Sequence, residues 1–408
     1  MKTIQKIMQH PTVLVLVDQA ISSGSSFLIT LVLAKNMDLI SFGLFSSLLL
    51  LTFLAMSISN ALLIQPFQVT VAKVIQKKEY HVAIFLGLMV LLLIEILSAK
   101  LLVLFLPKSL LDFIPIHAFL CFLCGYLIND FFRKLFLGIA KIQWALCMDF
   151  LYLLLLSALW IVPNLTLQAA LFIIGIANLA SSLPGLFFLY QNYETPVSWR
   201  FFLSHHTRQG KWLLIVAVLQ WASSHFFILI SGIYIGIEAL GALRLVQTLF
   251  GVINIGLQTI ENYFLPKVSK LYIKNVAQAK KYLLTITLKG AVLFGLLLSI
   301  LFVFSTPILV LAGGEKYQSY GYLVKIIAVL YFFIFLSYPV RIAVRILVLN
   351  KIFFLGYLLS FISSLLTFHF LLDYSGLTGA VIGLIMNQII MILYWQNQLK
   401  KNHFQLWK

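Results

Sequence analysis

Long apolar segments recur along this chain, each close to the length needed to cross a lipid bilayer as a helix. The hydrocarbon core requires roughly 20 apolar residues in a helix. Only 10% of the residues are charged, against about 25% in soluble domains. The sequence therefore predicts an all-α polytopic membrane protein with about twelve transmembrane helices. The predicted spans are 12–34, 42–66, 81–106, 115–137, 146–163, 168–190, 212–235, 243–266, 283–307, 319–340, 352–372 and 377–396.

Basic residues are distributed unequally between the two sides of the predicted membrane. With the N-terminus placed inside, 22 of the 29 Lys and Arg fall in inner segments. Inner loops of membrane proteins carry such an excess, so we expect both termini to be cytoplasmic. The net charge of +17 then indicates orientation and contact with membrane lipids, and nucleic acid is not expected as a partner. The other seven are Lys35, Lys100, Lys108, Arg244, Lys316 and Lys325 outside and Lys289 in the ninth span.

The sequence carries no signature of an enzyme, a metal site or a cofactor site. Cys121 and Cys124 form a C-x-x-C pattern, but they lie in an apolar span where a packing role is favoured. His225 and His369 lack metal-ligand spacing, which favours helix packing for both. A membrane glycan polymerase or ligase generally needs a sizeable outer loop, and every predicted outer loop is short. We expect no catalytic residue, no metal and no cofactor.

A weak internal repeat suggests that the chain has two halves. Gly43 and Gly241 begin similar membrane-length segments, 198 residues apart, and these end at Pro66 and Pro266, 200 residues apart. Internal repeats are typical of transporters whose two lobes rock around a central cleft. Because each half would hold an even number of spans, both halves would have the same orientation in the membrane.

The polar segment between the sixth and seventh spans is interpreted as a linker between these halves. We predict an N-terminal six-helix lobe over 1–190, a cytoplasmic linker over 191–211 and a C-terminal six-helix lobe over 212–408. The two lobes are expected to surround a central cavity.

The predicted eighth span carries polar residues along one side. At about 100° per residue, five polar side chains share one narrow arc, opposite an apolar arc. A buried amide without a partner costs roughly 1–3 kcal/mol, so this arc should face protein or water. The second span repeats the pattern more weakly at Asn60, and Lys289 either lies in the cavity or reaches the cytoplasmic surface. The candidate cavity residues are Arg244, Gln247, Asn254, Gln258, Glu261, Asn60 and Lys289.

Ionisable groups inside spans are functional candidates because their insertion costs about 2.5–3.5 kcal/mol. Asp18 and Gln19 in the first span are candidates for coupling transport to a cation or proton, although Asp18 could also be a capped, snorkelling or water-exposed carboxylate. Glu95 could be linked to a proton or could pair with Lys100. At the end of the fourth span, a polar cluster is most simply an ion-pair group at the inner edge: Asn129, Asp130, Arg133 and Lys134.

Two stretches resemble the Wzx-type bacterial polysaccharide flippases of the multidrug/oligosaccharidyl-lipid/polysaccharide exporter (MATE-like) superfamily. The first is DQAISSGSSFLITLVLAKNMDLISFGLFSS, which matches at Asp18, Gln19, Ser23, Gly24, Ala34, Lys35, Phe42 and Gly43. The second is LRLVQTLFGVINIGLQTIENYFLPKVSK, which matches at Arg244, Gln247, Thr248, Gly251, Asn254, Gln258, Glu261 and Pro266.

This resemblance implies two six-helix lobes around a cavity and the movement of polyprenyl-pyrophosphate-linked oligosaccharide across the bacterial inner membrane by alternating access. We expect transport to be driven by a coupling ion, proton or sodium, or by downstream consumption of the substrate, and a polysaccharide polymerase is a possible partner. The chain departs from the family by lacking a dense set of cavity arginines, so the expected cationic interior rests on Arg244, Lys289 and Lys325. A cation-coupled exporter of drugs or metabolites, from the same superfamily, remains the alternative.

Overall fold

The computed structural model describes residues 11–71, 77–105, 114–162, 164–193, 199–404 and 406. Nine helices in this part of the chain are long and apolar enough to cross a membrane, or ten if a bent pair forms one span. Every predicted span has a helical counterpart among the described residues. This confirms the all-α polytopic fold, and its physical cause is that hydrocarbon forces backbone groups to bond within their own segment.

The helices of the first half are labelled α1 to α6. A π-helical turn at Asn60–Ile64 interrupts the second predicted span, which then continues as Gln65–Thr70. A short 3-10 turn, Ser157–Trp160, follows α5. The helix bounds are α1 Pro11–Asn36, α2 Leu39–Ser59, α3 Lys77–Phe105, α4 Ile116–Gly138, α5 Ile142–Leu156 and α6 Leu167–Ser181, with Leu183–Gln191 beyond it.

The helices of the second half are labelled α7 to α12. The last two helices together span Asn350–Lys401, and they are separated by Gly376, whose backbone is not helical (φ 53°, ψ −131°). Trp395 donates to the carbonyl of Ile352 at 3.2 Å, so the two arms run antiparallel, with α11 before Gly376 and α12 after it. Glycine adopts this positive φ without the strain that a Cβ would add. The other bounds are α7 Trp199–Tyr234, α8a Ile237–Leu249, α8b Gly251–Lys274, α9 Val276–Val303 and α10 Gly321–Ile346, with Ser305–Gly313 and Glu315–Tyr320 between the last two.

The chain divides into two compact units, Met1–Val218 and Leu219–Lys408, and the division falls within α7. The predicted lobe and linker boundaries stay a prediction. In the first unit, α4 and α6 approach closely at Gly125 and Gly175, where an added Cβ on either residue would overlap the backbone of the other helix. Small residues at helix interfaces allow such close backbone contact in membranes.

Two sequence expectations about the second and eighth spans are wrong. The segments do not end at their prolines, because Pro66 begins a further helical turn and Pro266 lies inside α8b. The eighth span is also not one straight helix, since α8a and α8b meet at a 44° bend next to Phe250. The single polar arc was predicted for a continuous helix. The bend divides its residues between α8a and α8b.

Candidate ion and substrate sites

The first unit contains a buried cluster of three charged groups, which we call the acidic triad: Asp18, Arg133 and Asp149. Asp18 comes from α1, Arg133 from the last turns of α4, and Asp149 from α5. Arg133 Nη2 donates to Asp18 Oδ2 at 2.5 Å, and Arg133 Nε donates to Asp149 Oδ2 at 3.0 Å. Three helices thus converge on one guanidinium.

The acidic triad holds two carboxyl groups for one guanidinium. The Asp18 and Asp149 side chains are 2% and 4% exposed, and that of Arg133 is 14% exposed. Asp18 Oδ1 is buried and has no hydrogen-bond partner among the described residues. With every group ionised the triad would carry a formal charge of −1 in a dry environment, where an uncompensated charge is expensive. The arrangement therefore favours uptake of a proton or a small cation.

The burial of Asp18 contradicts two of the predicted alternatives for this residue. It is neither water-exposed nor snorkelling, because the whole residue is 1% exposed. Gln19 does not join the triad, since its amide donates to Ser23 Oγ at 2.9 Å. At the end of α4 only part of the expected edge cluster forms as an edge ion pair: Lys134 contacts Asp130 at 2.7 Å, while Arg133 turns inward.

The second unit contains a cluster of the opposite composition, the basic triad: Glu261, Arg341 and Arg345. Glu261 lies on α8b and is 4% exposed, and both arginines lie near the end of α10. Arg345 Nη1 contacts Glu261 Oε1, and Arg341 Nη2 lies 3.9 Å from Glu261 Oε2. One buried carboxylate therefore faces two guanidinium groups.

Two other predicted cavity residues of α8, Arg244 and Asn254, interact with Tyr331 of the neighbouring helix α10. Asn254 on α8b donates from Nδ2 to the phenolic oxygen of Tyr331 at 3.1 Å. Arg244 on α8a interacts electrostatically with Tyr331 and with His225 of α7. Tyr331 thus accepts a hydrogen bond from Asn254 of α8b and interacts electrostatically with Arg244 of α8a, on the other side of the bend. We call Arg244, Asn254 and Tyr331 the polar path of the second unit.

No hydrogen bond among the described residues links the remaining candidates to that path. Gln247 is half-buried on α8a, and the side chain of Gln258 lies outside the described residues. Asn60 begins the π-turn of the first unit, where its carbonyl accepts the Gln65 N–H. Lys289 is exposed on α9, and its position in the cavity or at the cytoplasmic surface stays a prediction.

Two further polar residues differ from their predicted surroundings. Glu95 makes no pair with Lys100: both of its carboxyl oxygens are buried without a hydrogen-bond partner among the described residues, and Lys100 is exposed. The His369 ring lies 5.7 Å from that of Tyr234 on α7, as expected for helix packing, but its side chain is 69% exposed and also contacts Asp373 at 2.5 Å.

Sequence reasoning missed three residues of the two triads. Asp149 is an ionisable residue within an apolar span, and this alone should have marked it as a functional candidate. Arg341 and Arg345 were counted only as part of the inner positive charge. Their spacing of four residues places them on one helix face, but no local signal indicated that this face would meet Glu261.

Comparison with solved structures defines the fold. An inward-facing multidrug-resistance MATE family transporter of the MOP superfamily matches with a TM-score of 0.74 and 10% identity over 94% of this chain and 95% of that chain. The lipid II flippase MurJ in an inward closed conformation matches with a TM-score of 0.70 and 11% identity over 96% of this chain and 87% of that one.

A MOP superfamily transporter from Pyrococcus furiosus, described as having a binding pocket of reverse polarity, matches with a TM-score of 0.62 and 9% identity, covering 98% of both chains. No protein-family profile and no curated protein sequence matches the chain. The protein thus has the fold of the MOP superfamily transporters and is a multi-pass membrane protein.

Proposed function

We propose that the protein is a transporter of the MOP superfamily that moves polyprenyl-pyrophosphate-linked oligosaccharide across the bacterial inner membrane by alternating access. The substrates would be precursors of O-antigen, capsule or exopolysaccharide, and both termini would be cytoplasmic. The observation that carries the proposal is the similarity to a lipid II flippase over 96% of this chain, at a TM-score of 0.70.

The polar path of the second unit supports a glycan as cargo. Sugar hydroxyls need hydrogen-bond donors and acceptors along their route, and Asn254, Tyr331 and Arg244 supply an amide, a phenol and a guanidinium. The lipid part can remain in the bilayer during transport. Unpaired polar groups in hydrocarbon are unfavourable, so a substrate that exchanges hydrogen bonds with this path lowers the barrier to crossing.

The acidic triad is proposed as the site where a proton or sodium ion drives the conformational cycle. A cation bound between Asp18 and Asp149 would neutralise the excess carboxylate. A ligand shifts a conformational equilibrium only by its differential affinity for the two states. Ion binding would therefore favour the transporter state in which Asp18, Arg133 and Asp149 remain in contact.

A second candidate function is a cation-coupled exporter of drugs or metabolites. The observation that favours it is the same buried pair of carboxyl groups, together with the similarity to a multidrug-resistance transporter at a TM-score of 0.74. This function would use the polar path of the second unit for organic cations and not for sugars.

Reconstituted vesicles distinguish the two functions. A fluorescent lipid-linked oligosaccharide placed in the inner leaflet should become accessible to a membrane-impermeant quencher when the protein is present. A deletion strain without a redundant flippase should accumulate unflipped lipid-linked units. Vesicles that export organic cations but leave the glycolipid protected would favour the exporter.

Ion coupling is tested in the same vesicles with D18N. We expect this variant to lose the dependence of transport on an imposed proton or sodium gradient, because it removes the excess negative charge of the triad. K134Q is the matched control, since Lys134 lies one residue from Arg133 but pairs with Asp130. A D18N protein that keeps full gradient dependence would refute the coupling site.

A further inference from the structure

The basic triad has more positive charge and more hydrogen-bond donors than its single carboxylate can satisfy. Each guanidinium carries five N–H donors, and Glu261 offers one carboxylate to both arginines. Nε of Arg341 is buried without a hydrogen-bond partner among the described residues. Arg341 also has a side-chain hydrogen bond with Tyr338. The triad therefore retains a formal charge of +1, and its two guanidinium groups have more N–H donors than Glu261 and Tyr338 can accept.

This capacity is partly accessible. The Arg345 side chain is 47% exposed and that of Arg341 is 26% exposed, while the Glu261 side chain is 6% exposed. The carboxylate thus lies at the base of the cluster and the guanidinium groups lie above it. An incoming anion would meet the arginines first.

Aromatic residues hold one of these arginines in place. The guanidinium of Arg341 lies 5.0 Å from the centre of the Tyr338 ring. Tyr357 of α11 also interacts electrostatically with Arg341. Stacking on a ring fixes a guanidinium while its N–H groups point outward, and phenols can add hydrogen bonds to an anion.

We propose that the basic triad binds the phosphoryl group of a lipid-linked substrate, with Arg341 and Arg345 as the binding residues and Glu261 as a positioning residue. The planar fork of arginine matches phosphate oxygens bidentately. Two forks spaced by one helical turn suit a diphosphate, which offers oxygens on two adjacent phosphorus atoms. The inference rests on the proposed function, because that function supplies a diphosphate carried on a lipid.

A bilayer phospholipid offers the same phosphoryl chemistry, so the test must separate the two sources. The purified protein is titrated in detergent with farnesyl diphosphate, with farnesyl monophosphate and with inorganic pyrophosphate. Phosphatidylglycerol is then added as a competitor. We expect farnesyl diphosphate to bind more tightly than the monophosphate, with little competition from phosphatidylglycerol.

Substitution of each arginine then locates the site. R341Q and R345Q should each weaken farnesyl diphosphate binding about tenfold or more, because each removes charge-assisted hydrogen bonds. R345K should recover only part of the affinity, since lysine keeps the charge but lacks the fork. K351Q is the matched control: it removes one exposed charge just after α10 and should change the affinity less than about twofold.

The role of Glu261 has a readout that charge alone would not give. E261Q makes the cluster more positive, so a carboxylate that only offsets charge would be revealed by tighter anion binding. We expect binding to weaken several-fold instead, because the guanidinium groups lose the group that orients them. Thermal unfolding of each variant establishes that it is folded.

Two results would overturn the proposal: unchanged farnesyl diphosphate affinity in folded R341Q and R345Q, or equal binding of phosphatidylglycerol at the same arginines. Failure of the proposed function looks different. In that case the wild-type protein binds farnesyl diphosphate through Arg341 and Arg345 but does not flip a lipid-linked oligosaccharide in vesicles.

Discussion

The acidic and basic triads use one plan with the charges exchanged. In the first unit two carboxyl groups share Arg133, and in the second unit two guanidinium groups share Glu261. Their surroundings differ as much as their charge. The most exposed side chain of the acidic triad is 14% exposed, whereas Arg345 in the basic triad is 47% exposed.

This difference in burial separates the roles open to the two clusters. An excess carboxylate that is sealed from water must be neutralised by something small, which suits a proton or a metal cation. An excess guanidinium that is partly exposed can bind a larger anion. This contrast supports the proposed roles, which are ion coupling for the acidic triad and substrate contact for the basic triad.

The largest expected effect is the loss of the central arginine of the acidic triad. R133Q leaves two buried carboxyl groups without their cation, and breaking a buried pair typically destabilises by about 3–5 kcal/mol. Chemical unfolding in mixed micelles measures this loss. K134Q should change stability by only about 0.3–0.5 kcal/mol, since Lys134 and Asp130 form an i,i+4 pair. Equal losses in both variants would mean that the burial of the triad has no energetic consequence.

The same operation on the basic triad should have a smaller effect. E261Q removes its central carboxylate, but the Arg345 side chain is 47% exposed and can turn toward solvent, so we expect a loss of about 1–2 kcal/mol. Unfolding under the conditions used for R133Q gives a direct comparison. If E261Q is as damaging as R133Q, the contrast in solvation between the two triads is wrong.

Rebalancing the acidic triad should cost little stability. D149N leaves one carboxylate for one guanidinium, so the cluster becomes neutral without taking up an ion. We expect the unfolding free energy to change by less than about 1 kcal/mol. Ion binding should nevertheless be lost, and isothermal titration with sodium at fixed pH, paired with proton-release measurements, would detect it. Retained uptake in a folded D149N protein would place the ion elsewhere.

The smallest effect concerns Asp38, which caps α2 outside both triads. Burial raises the pKa of Asp38, but hydrogen bonds from the backbone and hydroxyl of Ser41 outweigh this and hold the pKa below its ordinary value of 3.8. A lowered pKa contributes stability above the ordinary value, and that stability is lost as the pH falls through the folded pKa.

D38N keeps a side-chain cap, because Asn is also a good N-cap, but it removes the titration. We expect a change of a few tenths of a kcal/mol at neutral pH and a flatter decline of stability in acid. Unfolding measured between pH 3 and 7 gives the contribution of Asp38 alone, so that any remaining acid dependence can be assigned to other groups. An unchanged acid slope would show that the cap does not titrate as described.

The helices were predictable from the sequence, but their irregularities were not. Hydropathy located the spans because each must satisfy its backbone within itself. No proline marks the 44° bend at Phe250. Because Arg244 and Asn254 lie on opposite sides of this bend, the periodicity of a straight helix does not give their relative directions. Asn254 nevertheless donates to Tyr331, and Arg244 interacts with the same residue electrostatically, which only the packing of α8a, α8b and α10 could show.

The candidate sites were predictable only in part. Asp18 and Glu261 stood out because charge inside a span is expensive. Their partners did not, since Arg133 and Arg345 lie near span ends where basic residues are ordinary. Asp149 could have been found by the rule that selected Asp18.

By itself the sequence determined that this chain crosses a membrane many times as helices, because a bilayer leaves the backbone no other local solution. Only the tertiary structure decided which charges meet. Arg133 lies 115 residues from Asp18 along the chain, and Arg345 lies 84 residues from Glu261. Contacts over such separations depend on how each helix is rotated against its neighbours, and the apolar surfaces that set this rotation are spread over the whole unit.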